Sequence, residues 1–368
     1  FAPFEKINGV SYHRKHFLRN KKGNLYLRKL MPNLRKLMPN LGLRKLIIHC
    51  LKYFFPSFFV KKLFNYYFNI FYNTLLKLNA DIYYAHEIWA LESCYIVSKK
   101  KLKKKLIYDS HELEMYRNNN WSAKVNLERI KYEKNYIKHV DNILTVSEGC
   151  AKIIKKEYNL KNKITVIRNT PIFKNLKKSS NTLRKILNIE NGKKIFIYTG
   201  FGTFGRGIEL IINSMIKLPE YHLATVGNWD KSFKKYIQIL VNKKKLTNRV
   251  HLLPSVPNTQ LVNFISSADI AVIPIIDICL SYKYCLPNKL FESAFAGLPI
   301  LASDLPELKK YIERYKLGLT FKTNNTNSFI KNVSKIEKLN IKKNNSFIKK
   351  YDFLKEIDKV SKLIKNMS

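Results

Sequence analysis

A chain of 368 residues, 46% of them hydrophobic, is long enough for two domains and too apolar for general disorder. Its 68 Lys and Arg against 26 Asp and Glu leave a formal charge of +42, a field that draws anionic membranes and polyanionic substrates; nucleic acid is disfavoured because no helix-turn-helix, zinc-finger or RNA-recognition pattern accompanies the charge. Five scattered cysteines (Cys50, Cys94, Cys150, Cys279, Cys285) without a CxxC pair suggest neither a disulfide framework nor a zinc site, and a cytoplasmic location is expected.

The chain opens on Phe1, no signal peptide is visible, and the stretch from Phe4 to Tyr12 reads as a strand. Residues 27–33 recur perfectly at 34–40. With Pro32 and Pro39 inside it, this tandem heptad cannot be one continuous coiled coil and reads as a duplication in a surface loop. Leu51 to Leu78 is dense in Phe, Tyr, Leu and Ile, but its longest uncharged stretch, Leu63 to Leu76, is too short to span a bilayer. Asn65, Asn69 and Asn73 form a polar stripe on this expected helix. Two readings stay open for it: burial in an N-terminal domain, or an interfacial helix with its lysines on lipid phosphates.

A strand then runs from Ala80 to His86 and Glu87, a helix to Ser98, a lysine run from Lys99 to Lys105, and a second strand into Tyr108, Asp109, Ser110, His111 and Glu112. Strand, helix, strand is a βαβ unit, so the sheet is expected parallel, with His86 and His111 at its C-terminal edge. The lysine run reads as a solvated turn. A helix from Lys124 to His139 and strands at Asn142 to Val146 and Lys163 to Ile167 complete the half, and a Lys-rich passage from Phe173 to Asn188 leads onward.

The second half opens on the apolar strand Ile195 to Thr199, followed by Gly200-Phe-Gly202-Thr-Phe-Gly205-Arg206-Gly207 and a helical pattern. Glycines here let backbone approach a diphosphate, and Arg206 adds a planar cationic fork. A strand from Leu223 to Val226, then Val250 to Pro257, then Ala268 to Pro274 follow in order. After Pro287 comes a helix start carrying Asn288, Lys289 and Glu292, stopped by Gly297 before a buried strand. Helix N–H groups and one carboxylate aimed at a single place suit the phosphates and ribose of a nucleotide.

These ordered blocks, above all Glu292 ahead of Ala296-Gly-Leu-Pro299, resemble the family 4 glycosyltransferases over roughly residues 80 to 365. The resemblance implies an α/β, GT-B fold: two Rossmann-like domains with parallel sheets facing a cleft. The acceptor-side domain would be residues 1–175, the donor domain 190–345, and a helix in 346–368 would cross back. It also implies retaining transfer from a nucleotide-sugar (UDP or GDP) to a glycan or lipid-linked acceptor in surface polysaccharide synthesis, on the inner membrane face, with no cofactor and no metal. The family's first strand, glycine loop and helix are missing ahead of Phe4, so an N-terminally truncated chain is expected.

Carried over residue by residue, the resemblance makes Glu292 the ribose ligand, Arg206 the diphosphate ligand and His111 the histidine facing the donor sugar. Gly200, Gly202, Gly205, Tyr284, Asn288 and Lys289 would surround the donor, and His86 and Glu87 would face the acceptor. Outside such a setting, Glu292 would only complement a helix dipole and His111 would be a structural histidine. Two departures stand out. The family's first glutamate, eight positions before Glu292, is Tyr284 here, so sugar recognition must differ. The arginine often found after the first glycine is Phe201, with Lys289 a candidate replacement for its charge. A non-hydrolysing nucleotide-sugar epimerase of the same fold and a non-catalytic polyanion-binding relic are the alternatives.

Overall fold

Strands that are apolar on both faces need cover on both faces, which parallel sheets obtain from crossover helices. In the computed structural model, residues 54–118, 122–161, 164–172, 182–341 and 343–367 are described, with the backbone alone of Phe4–Ile7 and Val10–His13. The tandem heptad lies outside the described residues. Two strands, β1 (Phe4–Ile7) and β2 (Val10–His13), pair with each other as an antiparallel two-stranded sheet. The single strand expected there is thus two short strands paired with each other.

The N-terminal half holds a parallel sheet in the order β3 (Ile82–His86), β4 (Lys105–Ser110), β5 (Asn142–Thr145) and β6 (Ile164–Val166). Its register sets His86 beside Asp109. The long helix Pro56–Leu78 buries Phe59, Val60, Leu63, Phe64 and Tyr67, spaced by three and four residues, against the helices Ile88–Tyr95 and Ala123–Ile137. Phe64 stacks between Tyr132 (3.7 Å) and Trp89 (5.3 Å), and burying it stabilises by about 1.5–3 kcal/mol. Of the two readings for this helix, burial therefore holds for one face; Asn65, Asn69 and Asn73 line the exposed one. The lysine run becomes the end of a π-helical turn, Ile96–Lys101, followed by a bend into β4, with Lys99 on Asp141 and Lys104 on Asp81.

The second half is a six-stranded sheet in the order β12 (Gly318–Phe321), β11 (Ile300–Ser303), β10 (Ile270–Ile273), β7 (Lys194–Thr199), β8 (Tyr221–Val226) and β9 (Val250–Leu253), every pair parallel. Core clusters cover it on both sides: Ile195 and Ile197 point into one, Phe196 and Tyr198 into the other. Winding reverses between β7 and β10, and in open α/β sheets ligands bind outside the strand C-termini at such a reversal.

The chain end divides. The helix Asn345–Lys350 packs Phe347 and Ile348 into the second half's core, and the helix Phe353–Lys365 reaches the first half. There Glu356, almost fully buried, accepts from the Arg168 backbone N–H at 3.0 Å and pairs with its guanidinium at 3.5 Å.

Candidate active site

At the reversal point, β7 ends in Thr199 and the chain turns through Gly200, whose φ of +109° few side chains would accept. A Cβ at Gly200 would lie 3.6 Å from the Lys289 Nζ, so the bare turn and the ammonium share one space. Gly202 and Gly205 behave differently. Gly202 lies flat against Trp229, and Gly205 abuts Ile278 and Tyr282, so these two are packed on protein and leave Gly200 as the glycine facing the cations. Gly207, at φ +75° against the Pro274 carbonyl, releases the chain into the helix Ile208–Ser214.

The helix Asn288–Ala296 starts with no side chain capping its N–H groups and ends at Gly297 in the left-handed conformation. Exposed Asn288 opens it, buried Lys289 follows, and Glu292 lies one turn on. The Lys289 Nζ sits 3.8 Å from the Tyr198 ring centre, and Arg206 stacks on Tyr282 at 4.5 Å. Among the described residues no carboxylate pairs with Lys289 at ion-pair distance, whereas Thr199 Oγ1 donates to Glu292 Oε2 at 3.0 Å. Burial, and then the charge of Arg206, pull the Lys289 ammonium down to about 7, against partial support from Glu292 and Cys285. Burial pushes the Glu292 carboxyl up, partly offset by the Thr199 hydroxyl and Lys289. A buried cation of depressed pKa beside an open glycine turn and an uncapped helix start is an arrangement suited to an anion.

Tyr284 packs against the core of the N-terminal half. Its ring packs over Gly149, where an added Cβ would stand 2.6 Å from Cδ1. Its carbonyl accepts from Ser147 Oγ at 2.8 Å and from the Cys150 thiol at 3.5 Å. The bulky ring at this position thus packs at the seam between the halves.

On the N-terminal sheet edge, His86 Nδ1 lies 3.2 Å and His111 Nε2 3.4 Å from Asp109 Oδ2, and Tyr84 donates to the same oxygen. Burial pushes the Asp109 carboxyl up, but hydrogen bonds from His86 and Tyr84 and the charges of both histidines outweigh it, and the net direction is down. His111 Nδ1 is 3.4 Å from the Asn169 amide. Glu87 follows with φ +59° and ψ 168°, a backbone state costing about 1–3 kcal/mol, and its N–H donates to the Asp109 carbonyl at 3.0 Å. Its carboxylate reaches Arg117 at 3.7 Å. Asp109, Thr199 and Asn169 were not singled out by sequence reasoning; a polar residue closing an apolar strand was the available signal for the first two.

Two parallel sheets, with a cationic arrangement at one strand edge and a histidine cluster at another, give the chain the GT-B fold class. The sequence profile "Glycosyltransferase Family 4" matches residues 12–170, and "Glycosyl transferases group 1" matches residues 179–351. The chain belongs to the family 4, group 1 glycosyltransferases. An uncharacterized glycosyltransferase of Methanocaldococcus jannaschii is 24% identical over 217 residues, and the match spans 54% of this chain and about half (53%) of that relative. Among solved structures, Anabaena HepE in complex with UDP aligns with a TM-score of 0.65 at 14% identity, over 80% of this chain and 81% of that one. Sucrose-phosphate synthase from Thermosynechococcus elongatus aligns at 0.64 and 17%, over 75% and 69%, and a glycosyltransferase from Rickettsia africae at 0.64 and 15%, over 83% and 81%. At these identities the likeness is one of fold.

Proposed function

We propose that the chain transfers a sugar, with retention, from a nucleotide-sugar to a glycan or lipid-linked acceptor at an anionic membrane surface. The observation that carries this reading is Lys289: a buried ammonium without a carboxylate at ion-pair distance among the described residues, next to the Gly200 turn and the start of the helix Asn288–Ala296. The donor's diphosphate would supply the missing charge. Glu292, one turn along, would accept from ribose hydroxyls, with Thr199 Oγ1 donating to its Oε2. The UDP bound by Anabaena HepE and the UDP and GlcNAc bound by the pneumococcal O-GlcNAc transferase support a donor of this kind.

When the bond from the sugar's anomeric carbon to the diphosphate oxygen breaks, its electron pair stays on the diphosphate. Arg206 and Lys289 would stabilise that growing charge without reorganising. Arg206→Ala should lower turnover about 10² to 10³-fold, the scale of losing one such donor. Glu292→Gln should act chiefly on nucleotide affinity. Turnover against a panel of nucleotide sugars, with calorimetric titration of UDP and GDP, is the measurement. Parent-like behaviour in both variants would place the donor elsewhere, and sugar isomerisation would support an epimerase instead.

A further inference from the structure

Asp109 and His86 have no part in the donor chemistry above, yet they and His111 converge. We propose that His86, Asp109 and His111 form a binding site for a divalent transition-metal ion of the zinc class. The three ligand atoms lie within 4.8 Å of one another. Two edges are known: 3.2 Å from His86 Nδ1 to Asp109 Oδ2, and 3.4 Å from His111 Nε2 to the same oxygen. An ion with bonds of about 2.0–2.1 Å in tetrahedral geometry separates its ligands by about 3.3–3.4 Å, which these two spacings match, and the third edge, between the histidines, lies within 4.8 Å.

The backbone holds the constellation in place. Parallel register sets His86 directly beside Asp109, and His111 stands two residues beyond, just past the end of β4. With Nε2 on the ion, Nδ1 carries the proton; the neighbouring Asn169 amide, whose Nδ2 lies 3.4 Å from Nδ1, has to turn over so that its oxygen accepts, which gives the supporting contact that metal-bound histidines usually show.

Two imidazoles and one carboxylate favour zinc and its neighbours over magnesium or calcium, which take oxygen ligands. Three protein ligands leave a fourth position, and the opening is on the solvent side, since the His86 side chain is 58% exposed and that of Asp109 13%. The surroundings suit a cation despite the basic chain: Glu87 and Glu112 adjoin the two histidines, and Arg117 is shared among Glu87, Glu112 and Glu114.

The test is titration of metal-stripped, full-length protein with Zn²⁺ by calorimetry, and with Co²⁺ by visible absorption. One site should weaken by about 100-fold or more in His86→Ala and in Asp109→Asn, since even supporting residues around a metal cost about 10–100-fold. His86 is exposed enough that its truncation leaves the fold alone. His222→Ala removes a separate histidine contact of 3.1 Å to His251 and should bind as the parent does. Absence of binding by the parent, or parent-like binding by both His86→Ala and Asp109→Asn, would overturn the site. UDP titrated into the same variants keeps the donor reading separate, because it does not involve His86 or Asp109.

Discussion

Lys289 is the residue whose charge state matters most. Its ammonium is held near 7, far below the ordinary lysine value of 10.5, by burial and by Arg206. A diphosphate prefers the protonated form, so binding should take up a proton at and above neutral pH. Nucleotide affinity should therefore fall as pH rises, by up to about tenfold from pH 7 to pH 8. Lys289→Arg, charged throughout, should flatten this dependence. Calorimetry in buffers of different ionisation enthalpy reads the proton directly, and a parent affinity flat over that range would remove Lys289 from the diphosphate site. Sequence alone marked Lys289 as a stand-in for the arginine replaced by Phe201, but nothing local said that its ammonium would be buried on Tyr198.

At the scale of elements, the seam depends on the helix Glu148–Glu157 meeting the turn that carries Tyr284. Gly149 is there because nothing larger fits: a Cβ would come within 2.6 Å of the Tyr284 ring and 2.8 Å of Glu307 Oε1. Gly149→Ala should destabilise by about 1–3 kcal/mol, the usual cost of overpacking, visible as a lower thermal midpoint. Tyr284→Ala opens that space, so the double variant should lose less than the two single losses added together. Strict additivity would mean the ring and the glycine do not meet. The strand, turn and helix blocks around Gly200 and Pro287 were legible because each is written in contiguous residues; that Tyr284 faces Gly149 is a contact across 135 positions, which periodicity does not encode.

For the whole molecule, the charge of +42 and the outer face of the helix Pro56–Leu78 belong together. Phe55 and Phe58 are 61% and 46% exposed, with Lys61 and Lys62 beside them. No helix among the described residues is long and apolar enough to cross a membrane, so any attachment by this helix would be interfacial. Co-sedimentation with anionic vesicles should fall as salt shortens the Debye length, leaving a residual fraction held by the aromatic residues. Phe55→Ser with Phe58→Ser should abolish that residue without changing the low-salt binding much; failure of the parent to bind anionic vesicles at low salt would end the idea. Arg168 ties the halves, donating to Tyr311 at 2.7 Å and pairing with Glu148 and Glu356, a network that brings together residues from both halves and the last helix.

Local chemistry determined much of this protein from its sequence: the alternation of apolar strands and amphipathic helices, the glycine turn after Thr199, and the helix start carrying Lys289 and Glu292. These depend on neighbours within a turn or two, where sterics and hydrogen bonding are decided by the residues themselves. Tertiary structure alone decided which distant groups share a space. The parallel register of β3 and β4 brought Asp109 to His86, winding on both sides of β7 put Lys289 against Gly200, and the return of the helix Phe353–Lys365 placed Glu356 on Arg168. Such pairings arise because sheet order and burial are satisfied for the chain as a whole, and no window of sequence contains that sum.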